Sequence, residues 1–450
     1  MKIETLKKYL TQPYFLKAYF YFGLVGMIMA LIATAIYMVP GVNHPWLLLI
    51  GTFTTSDFME TLSYIYAANP YKGYWASGEE RWTIYLPFAY MVLYPFALIA
   101  KPSVLKYING QISLDYCYQD PLYYWTYLLY FVLHLVLILF LLGKWSKLKG
   151  KDLIYFLAAS SLHSGVFFCF GRGNVMTTTF LFALIFFLYK DSNKWWVREL
   201  SYLALAGAIA IKIYPIILAL VFIRERKLFA LLRTAFYTAS LVFLPFLLVE
   251  GGFSNIPLFV NNVLGFGSEG RGLGASNVSV DNFVAKFFWV LQQIFKADFS
   301  KAEKVLSTIL SGLVILVTVV LSFFPRKKGD VMPYTLLLIG CYLLFQTISY
   351  SYVFIFYTYV GLLLIQRWDE LPFNRKALYV ICLLVLAQPF PLVWHLAFFG
   401  ATANAILFGV SVYDLIKLLL RKEEAETALA KQTPSSIEEK APKELGDNIA

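Results

Sequence analysis

Pro121–Gly143 reads PLYYWTYLLYFVLHLVLILFLLG, a run without a single Asp, Glu, Lys or Arg, and it ends against Lys144-Trp-Ser-Lys147-Leu-Lys149-Gly-Lys151. A charge-free apolar run of ~18 residues or more can carry a helix across the ~30 Å hydrocarbon core of a bilayer. A basic cluster directly after such a run marks the cytoplasmic side, where the lysines and arginines of short loops collect. This stretch therefore sets both class and orientation: a helical membrane chain, descending into the cytoplasm at Lys144.

The rest of the chain agrees in composition. Of 450 residues, 59% are hydrophobic, 18% aromatic and only 14% charged, with a mean hydropathy of +0.65. A soluble domain carries about 25% charged residues. Too little charge is left here to keep a surface in water, which excludes a soluble globular enzyme, a disordered chain and a fibrous one. The net charge of +11 does not form a nucleic-acid patch, because the basic residues sit in short clusters between apolar runs. Cys117, Cys169, Cys341 and Cys382 are scattered and make neither a disulfide framework nor a metal-ligand spacing. The polar N-terminal stretch is too long for a removed signal peptide and lacks a small-residue cleavage site, so the first helix is expected to remain as a signal anchor.

Charge sets the sidedness of the remaining segments. Met1–Lys17 is basic and cytoplasmic; Ala18–Val39 spans outward; residues 41–81, with Asp57, Glu60, Glu79 and Glu80, form a first outer loop. Because Pro121–Gly143 starts outside, Trp82–Ala100 must begin and end outside, which predicts a re-entrant or surface-lying segment broken at Pro87 and Pro95. Leu153–Phe170 rises, Gly171-Arg172-Gly173-Asn174 turns outside, and Val175–Tyr189 descends to the basic stretch Lys190–Arg198. Leu200–Ile223 holds Lys212 and Pro215 at its middle and basic residues at both ends. Arms of ~12 residues make ~18 Å of helix, so the segment reads as a pair of short helices with Lys212 near the outer tip.

Leu228–Val249 rises again, and the Gly-, Asn- and Ser-rich stretch 250–282, with Arg271 as its one basic residue, forms a second outer loop that suits a mobile gate. Phe283–Phe295 reads as an interfacial helix, and Val305–Phe324 descends to Arg326-Lys327-Lys328. Val331–Gln366 divides at Ser349–Tyr352, and Ala377–Tyr413 divides around Pro389–His395. The expectation is an all-α polytopic membrane protein with about twelve transmembrane helices, two outer-face loops and both termini inside. Its parts run as a catalytic transmembrane module 1–250, a second outer loop with interfacial helix 251–302, C-terminal helices 303–420, and a disordered cytoplasmic tail 421–450.

Ionisable groups near the membrane but outside the cytoplasmic clusters are costly, which makes each a candidate site. Asp57, in Thr54-Thr55-Ser56-Asp57-Phe58-Met59-Glu60, precedes a segment of helical character. It could act as general base for a hydroxyl, ligate a divalent ion, or simply cap the helix. Glu60 lies one turn on and could share its face. Glu79, Glu80 and Arg81 read as a solvated corner. In Gly171-Arg172-Gly173-Asn174 the glycines permit a tight turn, Arg172 offers a fork to phosphate, and Asn174 can cap the next helix. Lys212, inside Ala-Ile-Ala-Ile-Lys-Ile-Tyr-Pro, needs an anionic partner: a substrate, or else Asp57 or Glu60. His44, His134, His163 and His395 are too dispersed to share a metal, and the latter two are minor candidates. The glycine-rich 265–279 stretch lacks the Gly-Lys-Ser/Thr ending of a P-loop. A carboxylate, an arginine and a lysine beside lipid suit transfer of a sugar from a lipid-linked phosphate, with cations stabilising the leaving phosphate.

Asp57 after the first span, Tyr85-Leu-Pro87 with Tyr94-Pro95, Arg172-Gly-Asn174 opening a span, and Lys212-Ile-Tyr-Pro215 downstream resemble glycosyltransferase family 87. That family belongs to the C superfamily of polytopic glycosyltransferases, which includes polyprenol-phosphate-mannose-dependent mannosyltransferases. The resemblance implies inverting transfer of a sugar, mannose by default, from a polyprenyl-phosphate donor to a lipid or glycan acceptor in glycolipid and cell-envelope biosynthesis. It implies Asp57 as catalytic base and Lys212 and Arg172 at the donor phosphate; Asn174, Glu60, Tyr85 and Tyr214 are the further substrate-binding candidates. A bacterial inner membrane with the active site on its outer face follows from the same likeness. Family members often carry Tyr-Pro-Pro where this chain has Tyr85-Leu86-Pro87, and an acidic residue or glutamine where it has Gly171. No cofactor and no metal are expected, since no second acidic residue pairs clearly with Asp57; membrane lipids are partners and nucleic acid is not.

Two other classes fit the cations. A transporter or flippase of a lipid-linked sugar would use them for binding alone. A surface-polysaccharide polymerase or ligase would show several outer-loop arginines where this chain has Arg271.

Overall fold

The computed structural model describes residues 10–37, 55–76, 79–269, 277–326, 329–346, 349–387 and 394–432. It is a bundle of helices with one small hairpin, β1 (Tyr74–Ala76) and β2 (Glu79–Arg81), paired antiparallel. The first helix, α1 (Gln12–Tyr37), is followed by the short α2 (Ser56–Tyr66), the hairpin, and α3 (Pro87–Ile108). Next come α4 (Pro121–Ser146), α5 (Gly150–Ser161), α6 (Ser164–Arg172), α7 (Met176–Tyr189) and α8 (Trp195–Ile211). A 3-10 turn over Tyr214–Ala219 leads into α9 (Leu220–Arg224), then α10 (Leu228–Phe243), α11 (Asn255–Glu269) and α12 (Val280–Phe295). The chain continues through α13 (Ser300–Phe323), α14 (Val331–Leu344), a 3-10 turn (Ser351–Phe356), α15 (Tyr357–Gln366), α16 (Phe373–Ala387) and α17 (Trp394–Gln432).

Helix α4 shows why the bundle belongs in lipid. Trp125, Leu129, Val132, Leu133, Val136 and Phe140 are exposed along one stripe at helical spacing. Tyr123, Tyr127, Tyr130 and His134 are buried on the other side. In water such an apolar stripe would be an aggregation site; against acyl chains it is the solvated face.

Among the described residues, five stretches are long and apolar enough to cross a membrane: α3, α4, Leu228–Leu248, α13 and Phe399–Leu420. Helices α5 and α6, bent by 45° at their junction, make a sixth if they act as one span. The other apolar helices are shorter: α7 and α14 have 14 residues each, ~21 Å of helix and well under the ~30 Å hydrocarbon thickness. Their surroundings account for this. All of α14 except Val331 is buried, as is every residue of Ser351–Phe356. Segments packed inside protein need not match the bilayer, so the segments counted toward about twelve crossings include α7 and α14, which are shorter than the hydrocarbon core and largely internal.

Several local expectations change. Pro87–Ile108 is one continuous helix with Pro87 in its first turn and Pro95 and Pro102 inside, not a segment broken at Pro87 and Pro95. An apolar environment tolerates the lost N–H bonds because neighbouring groups and side chains take up freed carbonyls. The second loop is largely helical, through α11, and α12 begins at Val280 rather than Phe283. Residues 270–276 of the glycine-rich stretch, Arg271 among them, lie outside the described residues. Helix α17 runs on through Gln432, so the first part of 421–450 is helical.

One arrangement positions the site. Helices α7 and α8 form an antiparallel pair joined through Lys190–Lys194, so Asn174, just before α7, and Lys212, just after α8, share one end. The opposite end holds a charge cluster. Lys190 bonds Asp191 at 2.7 Å and pairs with Glu225. Lys227 reaches Glu225 at 2.8 Å, Arg326 reaches it at 3.1 Å, and Lys227 also pairs with Asp191. Nearby, Arg224 donates to Asp330 at 2.8 Å and to the Leu321 carbonyl at 2.6 Å, tying α9 to α13 and α14.

Candidate active site

Asp57 sits in the first turn of α2, where a carboxylate is favoured by the helix dipole. It is not the cap: Thr55 holds that position and makes no side-chain capping bond. The Asp57 carboxylate is instead gripped from across the fold. Arg172 Nη2 donates to Oδ1 at 2.6 Å, and Asn174 Nδ2 donates to Oδ2 at 2.7 Å.

The turn that supplies both donors is built for close contact. Arg172 ends α6, Gly173 adopts φ +67°, and the Asn174 Oδ1 accepts from the Met176 N–H at 3.0 Å as α7 begins. A Cβ on Gly173 would lie 2.7 Å from Phe58 Cβ and 3.0 Å from the Thr55 carbonyl oxygen. Only glycine satisfies both the left-handed backbone and this packing. The Thr55 N–H donates to the Gly171 carbonyl at 3.0 Å, and Tyr123 Oη donates to the Thr55 carbonyl at 2.6 Å. Thr55 has φ +51°, a costly conformation for a β-branched residue, and these two bonds hold it there. Phe58 stacks on Tyr130 with ring centroids 4.9 Å apart, fixing the buried face of α2.

Lys212 follows the last turn of α8. Its Nζ lies 5.2 Å from the Tyr85 ring centroid and 5.3 Å from that of Tyr352. Among the described residues no carboxylate comes within 4.0 Å of it, so neither Asp57 nor Glu60 is its salt-bridge partner. Asp57, Cys169 and Arg172 are its electrostatic neighbours. The ammonium is therefore held between two aromatic faces with its charge unspent.

Glu60 points elsewhere. Its carboxylate accepts from Tyr64 Oη at 3.1 Å and faces Arg81 at 3.5 Å, so Arg81 turns inward rather than forming a solvated corner. Burial, and after it the neighbouring Asp57 charge, pushes the Glu60 carboxyl above its ordinary range. Tyr85 is pinned through its backbone: its N–H donates to Thr83 Oγ1 at 2.9 Å, and its carbonyl accepts from Tyr71 Oη at 2.9 Å. Tyr214 packs edge-on against Phe345 with ring centroids 6.1 Å apart. The sequence reading thus named Asp57, Arg172 and Asn174, which touch, and Lys212 and Tyr85, which stand together; Glu60 and Tyr214 lie at the margins.

It missed Tyr350 and Tyr352. Tyr350 precedes the Ser351–Phe356 turn and Tyr352 lies within it, and Tyr350 counts Arg172 and Asp57 as electrostatic neighbours. Gly165 brings that turn in: a Cβ there would fall 1.9 Å from the Ile355 nitrogen, so α6 and this backbone meet without a side chain between them. The signal was the Ser349-Tyr-Ser-Tyr352 interruption, which reads as a helix break and not as a lining.

The remaining candidates are structural. His163 caps α6 by accepting the Gly165 N–H at 3.1 Å, and His134 bonds the Tyr130 carbonyl and Thr178. His44 and the His395 side chain lie outside the described residues. Cys117, Cys169, Cys341 and Cys382 are buried free thiols. Compared with known protein families, residues 82–349 match glycosyltransferase family 87, a stretch that holds Arg172, Asn174 and Lys212 and excludes Asp57 and Tyr352. No curated protein and no solved structure matches the chain. With more than half of its length matched, and its apolar helices fitted to a bilayer, the chain belongs to glycosyltransferase family 87 and is a membrane glycosyltransferase.

Proposed function

We propose that this enzyme transfers a sugar, mannose by default, from a polyprenyl-phosphate donor to a hydroxyl of a lipid or glycan acceptor, with inversion at the sugar C1. The observation that carries the reading is the Asp57 carboxylate, oriented by Arg172 and Asn174, beside a lysine that has no carboxylate partner among the described residues. Each Asp57 oxygen keeps a lone pair after accepting one bond, so the carboxylate can take the acceptor hydroxyl proton. The acceptor oxygen then bonds to C1 as the C1–O bond to phosphate breaks. The prenyl phosphate leaves with the electron pair, and Lys212 and the remaining Arg172 N–H groups stabilise its growing charge. No step needs a cofactor.

Two further features support the details. An apolar groove of about 360 Å³, lined by residues such as Val280, Phe283, Leu313, Leu344 and Phe408, suits an isoprenoid chain. Its edge at Val278 bonds to Ser349, beside Tyr350. The lysine- and arginine-rich cluster at Lys190, Lys227 and Arg326 stands at the end of the α7–α8 pair away from Asp57, which supports an outer-face site in a bacterial inner membrane.

The test is an in vitro transfer assay in nanodiscs, offering a panel of radiolabelled short-chain polyprenyl-phosphate sugars and native membrane lipids. Wild type is compared with Asp57→Asn, with and without EDTA. Transfer by wild type, lost by ~100-fold or more in a well-folded Asp57→Asn, is the expected result. Equal binding of the lipid phosphate by both proteins with transfer by neither would overturn the reading in favour of a carrier.

A further inference from the structure

Several donors of the site have no acceptor among the described residues. Lys212 Nζ is flanked by the Tyr85 and Tyr352 rings. Arg172 commits Nη2 to Asp57 and has Tyr352 and Tyr350 as its next electrostatic neighbours. The Tyr352 side chain is 8% exposed, and its hydroxyl makes no hydrogen bond among the described residues. The Tyr352 hydroxyl keeps some accessible surface, unlike the sealed phenol of Tyr19, so a ligand oxygen can reach it. Tyr85, Asp57, Tyr350 and Tyr214 are its electrostatic neighbours, and Tyr85 faces the same Lys212 ammonium. Tyr350 packs beside it with its ring tilted by 58° and centroids 5.8 Å apart, and its hydroxyl likewise makes no hydrogen bond among the described residues. Both residues lie just beyond the stretch that matches the family.

We infer that Tyr352, with Tyr350 beside it, is a substrate-binding residue whose hydroxyl donates to the phosphate oxygens of the lipid donor, while its ring face holds the Lys212 ammonium in line with that phosphate. The inference rests on the phosphate-binding reading above and adds a wall contributed by the C-terminal part of the chain. The ligand chemistry is an anionic phosphate monoester or diester on an isoprenoid chain. The rigid backing is the Ser351–Phe356 turn seated on α6 at Gly165, which fixes the phenols relative to Arg172. A charge-assisted hydrogen bond from a phenol that keeps its place would account for about a tenfold gain in affinity.

The experiment measures binding of farnesyl phosphate to the full chain in detergent by calorimetry, with farnesol as the phosphate-free control. Tyr352→Phe keeps the ring over Lys212 and removes only the hydroxyl. It should weaken farnesyl phosphate binding about tenfold and leave farnesol unchanged. Tyr352→Leu, which also removes the ring, should weaken it further. Tyr350→Phe, on the same turn, gives the same pattern and serves if the Tyr352 variants fail to fold. Lys212→Met separates the two readings. If it abolishes phosphate-dependent binding while both phenylalanine variants bind within twofold of wild type, the tyrosine inference falls and the phosphate site stands. If Lys212→Met also binds as wild type does, both fall. Equal weakening toward farnesyl phosphate and farnesol would make the tyrosines packing residues and overturn the inference as well.

Discussion

Replacing Gly173 by alanine should show how finely the Asp57 carboxylate is placed. Two costs add at this position. The left-handed backbone at φ +67° penalises any Cβ by about 1–2 kcal/mol. The new methyl would also sit 2.7 Å from Phe58 Cβ and 3.0 Å from the Thr55 carbonyl oxygen, where neither can retreat. Phe58 is stacked on Tyr130, and the Thr55 carbonyl is already bonded by Tyr123. Relief of such an overlap in a packed core costs about 1–3 kcal/mol, bringing the total to about 2–5 kcal/mol. Gly150→Ala is the matched control: its φ is +56° and a Cβ there meets nothing within 4 Å, so it carries the backbone cost alone. Thermal unfolding in detergent should rank wild type above Gly150→Ala, and Gly150→Ala above Gly173→Ala. Sugar transfer should fall tenfold or more in Gly173→Ala only, because α2 must move away from Arg172 and Asn174. Equal melting temperatures for the two variants, or full turnover by Gly173→Ala, would refute the close-contact argument.

Two other outcomes follow from the charges. Glu60 has a pKa raised above its ordinary 4.5, by burial first and Asp57 second, so from about pH 4.5 upward the folded chain keeps a proton that the unfolded chain has released. Stability from this group is therefore lost as pH rises through that window, and Glu60→Gln should flatten the decline in melting temperature; parallel curves for wild type and variant would rule it out. At the far end of the bundle, Asp330→Ala leaves the buried Arg224 without its carboxylate and should destabilise by about 3–5 kcal/mol. Denaturation showing under 1 kcal/mol would mean that the Leu321 carbonyl and the Tyr334 ring suffice for the guanidinium.

What could be read from the sequence divides along a physical line. Charges stand out in an apolar chain, so Asp57, Arg172 and Lys212 declared themselves by their cost, and the Lys212–Pro215 break was visible as a helix that could not continue. Tyrosines are silent in the same background: Tyr350 and Tyr352 look like core residues until the Gly165 contact brings their turn onto α6. Pro95 misled because a proline that ends a helix in water can sit inside one in lipid, as it does in α3. Segment length was unreadable for a related reason. An apolar run such as α14 looks the same whether lipid or protein surrounds it, and only packing shows that its surroundings are protein.

The α7–α8 pair works as a caliper. Its two jaws are Asn174 and Lys212, and its hinge is the Lys190–Lys194 link, clamped by Glu225 and its basic partners. Helix α7 has 14 residues and α8 has 17, and these lengths set where Asn174, which holds the base, stands relative to the cation Lys212. Inserting one residue into either helix would advance its jaw by ~1.5 Å and swing it by about 100°, carrying the side chain off the substrate altogether. Insertions in the loop between β1 and β2 would move neither jaw. Natural length variation should therefore accumulate in the hairpin and be nearly absent from these two helices.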